Sequence, residues 1–213
     1  MPARVWIFGE GNNELGGDDG YGARQGGVLA SLLERVCEHG WTCAGAMPWR
    51  LIQKFRAGGA HRDRSSHGDY LNVLGLVFTA YENAADAVAF ARDVDGDLDR
   101  EDAIQAALAW LRDDSSWAIH VIGGVAKPAI EGWILALRAV PDTDDMSRAR
   151  AAALLAEHEI DPKSTEHYRA AVAQASLGKS PHFGLPRGAE SLRAWLAVAA
   201  EVMRQLVDST PPP

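Results

Sequence analysis

The chain has 213 residues, 47% of them hydrophobic and 23% charged. That composition excludes a disordered or fibrous protein and allows one domain with an elaboration, or two small ones. Its 21 Lys and Arg against 29 Asp and Glu leave a net charge of −8, which excludes a protein that coats nucleic acid by bulk charge, because phosphate binding needs clustered cations.

Cys37 and Cys43 are too few for a disulfide scaffold and match no zinc-site spacing. The first apolar run, Val5 to Phe8, is too short for a signal-peptide core, and no later run reaches the length of a membrane span. The expectation is a cytoplasmic protein with no membrane partner.

Val5-Trp6-Ile7-Phe8 is a continuous run of strand formers that stops at a Gly-rich turn, the pattern of a buried parallel strand. The segment from Gly9 to Gly27 reads as a loop. A helix follows with Val28, Leu29, Leu32, Leu33, Val36 and Cys37 on one stripe, closed by His39-Gly40. Trp41 to Met47 reads as a second strand. Residues 50–64 carry Arg50, Lys54, Arg56, Arg62 and Arg64 against Asp63, a local net charge of +4.

Tyr70 to Tyr81 suits a buried helix, and Ala87 to Ala91 a strand that runs into Arg92-Asp93-Val94-Asp95-Gly96-Asp97. Ile104, Ala107, Leu108 and Leu111 mark a helix with Glu101 and Asp102 in its first turn, where acids suit the helix dipole. Trp117 to Ile122 reads as a strand ended by Gly123-Gly124. Pro128 is placed as the first residue of a helix that carries Ile130, Trp133, Ile134 and Leu137. Residues 147–157 and 164–177 read as helices parted by Asp161-Pro162. A last helix carries Leu192, Trp195, Leu196, Ala199, Val202, Met203 and Leu206 on one stripe.

This alternation predicts an α/β fold over residues 1–140, an about four-stranded, largely parallel sheet with flanking helices. A C-terminal helical extension over 141–208 and a disordered tail at 209–213 follow.

Acids at strand ends are the main chemical signal, because ligands of open α/β sheets bind at the carboxyl ends of the strands. Glu10 follows the first strand, and Asp93 and Asp95 follow the third. Between residues 93 and 102 there are six acids and a single Arg, Arg100. Crowded carboxylates repel, and a hard divalent ion held by oxygen removes the conflict. Two such ions can activate water and stabilise a leaving oxygen in phosphoryl chemistry. A solvated acidic loop and a helix first turn account equally well for Asp97 and better for the acids after it. They do not account for Glu10, Asp93 and Asp95, each of which directly follows an apolar strand.

An apolar strand followed by Glu10-Gly11-Asn12-Asn13-Glu14 resembles the E-G-x-x-E opening of Toprim domains. It is closest to the version in overcoming-lysogenization-defect (OLD) type nucleases and related small bacterial proteins. Asp93-Val94-Asp95 after a strand resembles the Toprim D-x-D. Lys127 with Glu131-Gly132-Trp133 is similar to the lysine and the helix near the end of the OLD-type domain. The resemblance covers roughly residues 4–140, and the order of the motifs carries it.

It implies a Toprim-like fold that binds Mg²⁺ or Mn²⁺ and hydrolyses nucleic-acid phosphodiesters, DNA ahead of RNA, in a bacterial defence or repair setting. By the same resemblance Glu10 is a metal ligand or general base and Glu14 a second ligand. Asp93 and Asp95 hold metal, joined by Asp97 where its acid run is read as part of the site. Glu131 is a further acid, and Lys127 stabilises charge on the phosphate. The Gly- and Asp-rich run 16–20, the long segment before Asp93 and the missing counterpart of the OLD-type ATPase domain depart from the pattern.

Other readings stand beside this one. Lys127 lies four residues before Glu131 and can pair with it along a helix, or it can serve a phosphate at a helix N-terminus. Arg56, Arg62 and Arg64 can track a nucleic-acid backbone or form a solvated charge run. A dinucleotide fingerprint fails because Glu14 stands at the third glycine, and no other cofactor-binding motif is present. A non-catalytic or conditional subunit of an ATPase, with self-association left open, is one alternative function. A haloacid-dehalogenase-like phosphatase with Asp93-Val94-Asp95-Gly96 as its nucleophile motif is another, although that motif normally follows the first strand and here follows the third.

Overall fold

The computed structural model describes residues 1–16, 26–54, 68–113, 117–177 and 184–208. Among them are four strands, β1 (Ala3–Gly9), β2 (Trp41–Pro48), β3 (Ala87–Asp93) and β4 (His120–Ala126). They form one sheet in the order β2-β1-β3-β4, and every neighbouring pair is parallel. The helices are α1 (Asn12–Leu15), α2 (Val28–Val36), α3 (Gly68–Glu82), α4 (Leu98–Asp113), α5 (Ile130–Leu137), α6 (Arg148–Glu157), α7 (Thr165–Gln174) and α8 (Glu190–Asp208).

Strand residues alternate between the two faces of a sheet, and both faces here are covered, so the middle of β1 (Val5 to Phe8) and most of β3 (Ala87 to Ala91) are continuously apolar. Val5, Ile7, Ala87, Ala89 and Ala91 face the core shared with α2, α5, α6, α7 and α8. Phe8, Val88 and Phe90 face the core shared with α3 and α4. The small Ala87, Ala89 and Ala91 share this core with Trp133 and Trp195, whose rings meet at a tilt of 54° with centroids 5.7 Å apart. Both indoles keep a polar partner: Trp195 Nε1 donates to the Phe90 carbonyl at 2.9 Å and Trp133 Nε1 to Ser191 Oγ at 2.8 Å. The stripe expected on the last helix is thereby turned inward. Among the described residues of α8, Val198 is the large apolar side chain left exposed.

Three local expectations differ from the structure. β4 starts at His120, three residues after the expected Trp117, and Gly123 and Gly124 lie inside it instead of ending it. A Cβ on Gly123 would stand 2.2 Å from Phe90 Cε1, so this glycine serves the packing of a neighbouring ring and is no turn signal. Pro128 is not the first residue of α5, because Ala129 is the N-cap and the helix starts at Ile130. The segment after β1 is not all loop: α1 is built by Glu14, whose Oε2 accepts the Gly11 amide at 2.8 Å and closes the first turn. The tail at 209–213 lies outside the described residues.

Candidate metal centre

Pairing of Phe8 with Phe90 puts the carboxyl ends of β1 and β3 side by side. Glu10 leaves the end of β1 and Asp93 closes β3, and the Asp93 amide donates to Glu10 Oε1 at 3.1 Å. Asp95 is two residues farther on, held in a left-handed backbone (φ 52°) while its amide donates to the Pro128 carbonyl at 2.9 Å. One carboxylate oxygen from each of Glu10, Asp93 and Asp95 lies within 4.8 Å of the others. Oxygens that close can share a cation whose ligand distances are about 2.0–2.6 Å.

Two more acids line this pole. Glu14 and Glu131 are 6% and 8% exposed, unusual burial for carboxylates. Glu14 is wedged beneath the end of β1, where a Cβ on Gly9 would stand 2.5 Å from its own Cβ. Glu131 rides on the first turn of α5. Among the described residues its buried Oε2 finds no hydrogen-bond partner, and the same is true of the hydroxyl of Tyr168 on α7. A buried carboxylate oxygen without a partner is costly. That oxygen, beside the carboxylates of Glu10, Asp93 and Asp95, belongs to a donor set that suits a hard divalent cation, and Mg²⁺, Mn²⁺ and Ca²⁺ all fit it.

The electrostatics are consistent. Burial, then repulsion from Glu10, Glu14 and Glu131, push Asp93 up to about 8, although Asp93 Oδ1 accepts the Ile130 amide at 2.9 Å. Burial raises Glu14 against the pull of the Gly11 amide, and Glu10 and Glu131 add to the rise. Burial and the fields of Glu131, Glu14 and Asp93 also hold the Tyr168 hydroxyl above its ordinary value. Mutual repulsion of this kind marks functional sites more often than structural ones.

Three arginines answer these charges. Arg92 pairs with Glu10 while its guanidinium lies 5.3 Å from the Trp49 ring and 3.5 Å from Asp69. Arg100 donates to the Asp93 and Val94 carbonyls at 2.7 and 3.3 Å and pairs with Asp69 at 3.2 Å and Asp95 at 3.5 Å. Arg148, the first residue of α6, reaches Asp95 Oδ1 at 2.7 Å, Asp93 Oδ2 at 3.7 Å and Glu131 Oε1 at 3.8 Å.

Glu10, Asp93 and Asp95 thus meet, and Glu14 and Glu131 lie beside them. Asp97 stands apart: its Oδ1 accepts the Arg100 amide at 3.1 Å and caps α4. Lys127 pairs with Glu101 at 2.7 Å instead of with Glu131. It borders a cavity of about 700 Å³ whose lining also includes Asp95, Ser147 and Arg148. Arg56, Arg62 and Arg64 lie outside the described residues. Asp93 is 4% exposed with Glu10 against it, a poor setting for the attacking carboxylate that a dehalogenase-type phosphatase needs.

Arg148 and Tyr168 were not visible as site residues in the sequence. Both come from helices of the extension, whose position over the sheet edge is set by packing and leaves no motif. Asp69, 6% exposed and bonded by Trp49 Nε1 at 2.9 Å, was hidden in the same way. Among the described residues no helix is long and apolar enough to cross a membrane. The chain matches no family model, no curated protein and no solved structure.

Proposed function

We propose that this chain is a Toprim-like phosphodiester hydrolase that uses Mg²⁺ or Mn²⁺ and acts on nucleic acid, DNA ahead of RNA, in a bacterial defence or repair setting. The observation that carries the reading is the meeting of Glu10, Asp93 and Asp95 within 4.8 Å at the carboxyl edge of a parallel sheet. Arginines pair with Glu10, Asp93 and Asp95 and do not satisfy every acid of the pole. Among the described residues, Glu131 Oε2 is buried with no hydrogen-bond partner.

Glu10, Asp93 and Asp95 would hold the cation, with Glu14 and Glu131 as the further acids. A bound divalent cation supplies charge neutralisation for the phosphate and lowers the pKa of attacking water. Glu10, half-buried at the rim, would serve as a ligand of the cation or take the proton from that water. Lys127 borders the cavity beside Asp95, where a phosphate oxygen can exchange places with Glu101 on its ammonium.

The test is cleavage of single- and double-stranded DNA with Mg²⁺ or Mn²⁺ by wild type and by the Asp93→Ala/Asp95→Ala variant. The expected result is loss of metal-dependent cleavage with an unchanged far-ultraviolet circular dichroism spectrum. Undiminished cleavage by the folded double variant refutes the assignment.

A further inference from the structure

Arg148 differs from the other two arginines of the site. Arg92 and Arg100 also touch acids of the centre, Glu10 and Asp95, but Arg92 is fixed besides against Trp49 and Asp69, and Arg100 by two backbone carbonyls and Asp69. Among the described residues the side-chain partners of Arg148 are Asp95, Asp93 and Glu131, all acids of the candidate centre. Its side chain is 53% exposed, against 15% for Arg92 and 17% for Arg100. Its backbone position works against it, because a cation on the first turn of a helix faces the positive end of the helix dipole. The acids are what hold the guanidinium there. They are also the groups a divalent cation needs, and a dication among them would stand close to the guanidinium and repel it.

We propose that Arg148 is an internal competitor for the metal, a counter-ion seated among the acids and closest to Asp95 in the metal-free protein, and displaced when a divalent cation binds. Displaced, it turns into the cavity of about 700 Å³ that it borders together with Lys127, where its planar fork suits a phosphate of the substrate. The proposal rests on the metal-centre reading given above. It assigns to the helical extension a place in the site: α6 supplies the side chain that sets metal affinity and then meets the phosphate.

The experiment is calorimetric titration of Mn²⁺ into the full chain as wild type, Arg148→Ala and Arg148→Lys, with DNA cleavage measured at saturating Mn²⁺. Arg148→Ala is expected to bind Mn²⁺ about three- to tenfold more tightly, the range given by losing a partly exposed pairing with several acids. At saturating metal it is expected to cleave at least about tenfold more slowly, as for loss of one charge-stabilising donor. Arg148→Lys keeps the competing charge and is expected to bind Mn²⁺ within about twofold of wild type.

A merely structural arginine would weaken Mn²⁺ binding on removal, so equal or weaker binding by Arg148→Ala overturns the competition. Unaltered cleavage at saturating metal overturns the phosphate contact. If wild type and Arg148→Ala both fail to bind Mn²⁺, the metal-centre reading falls and takes this inference with it. If wild type binds and cleaves while Arg148→Ala binds no tighter, this inference falls alone.

Discussion

Asp93 is 4% exposed, bonded by the Ile130 amide and surrounded by Glu10, Glu14 and Glu131, and its acid is held up to about 8. The native state therefore keeps a proton between pH 3.8 and about 8 that the unfolded chain releases. Stability of the metal-free protein is expected to fall as pH rises through that window, because the unfolded state binds fewer protons there. Urea unfolding across this range in the presence of a chelator checks it: Asp93→Asn should show a shallower fall than wild type, and an identical slope would contradict the burial and crowding of this carboxyl. Asp97 offers the opposite control. Asp97→Ala is expected to cost about 0.5–2 kcal/mol as a lost helix cap and to leave Mn²⁺ affinity unchanged, which unfolding and calorimetry read separately. Glu10, Asp93 and Asp95 were legible in the sequence because each follows an apolar strand, and strand ends have a known place in a parallel sheet. Asp97 was ambiguous there because a cap and a ligand are the same residue type at the same spacing.

The elements place these side chains through packing that is uneven in how well a sequence reveals it. β1 and β3 announce themselves through the apolar runs Val5 to Phe8 and Ala87 to Ala91, and α8 as an inward stripe. β4 does not, since Gly123 and Gly124 look like an end and are an interior. Gly123→Val is expected to drive its side chain into the Phe90 ring and to destabilise the protein by about 1–3 kcal/mol or more. Because Phe90 sits three residues before Asp93, the same variant should also lower metal affinity, which calorimetry on the folded fraction would show. Trp195→Phe removes the indole N–H that meets the Phe90 carbonyl and part of a fully packed ring. It is expected to cost about 1–3 kcal/mol by denaturant unfolding. Neither contact has a sequence signature: both depend on which helix lies over which strand, and only the assembled layers decide that.

Across the whole molecule, the sheet and the helices after residue 140 share buried surface. One apolar cluster runs from Val5 and Ile7 through Trp133 to Leu155, Tyr168, Trp195 and Met203. The far-ultraviolet signal of the backbone and the near-ultraviolet signal of Trp133 and Trp195 are therefore expected to melt in one coincident transition. Separated transitions would show that the extension folds apart from the sheet. The same joint packing brings Arg148 and Tyr168 to the acids of the sheet edge, so the pole of the fold reads as one assembly of strand-end carboxylates and helix-borne partners. The decisive observation is anomalous diffraction from crystals of the full chain grown with Mn²⁺. The expected result is a peak within about 2.0–2.6 Å of oxygens from Glu10, Asp93 and Asp95, with the Arg148 guanidinium moved away. A peak elsewhere, or none at saturating Mn²⁺ with Arg148 still seated on Asp95, would contradict a metal centre at this pole.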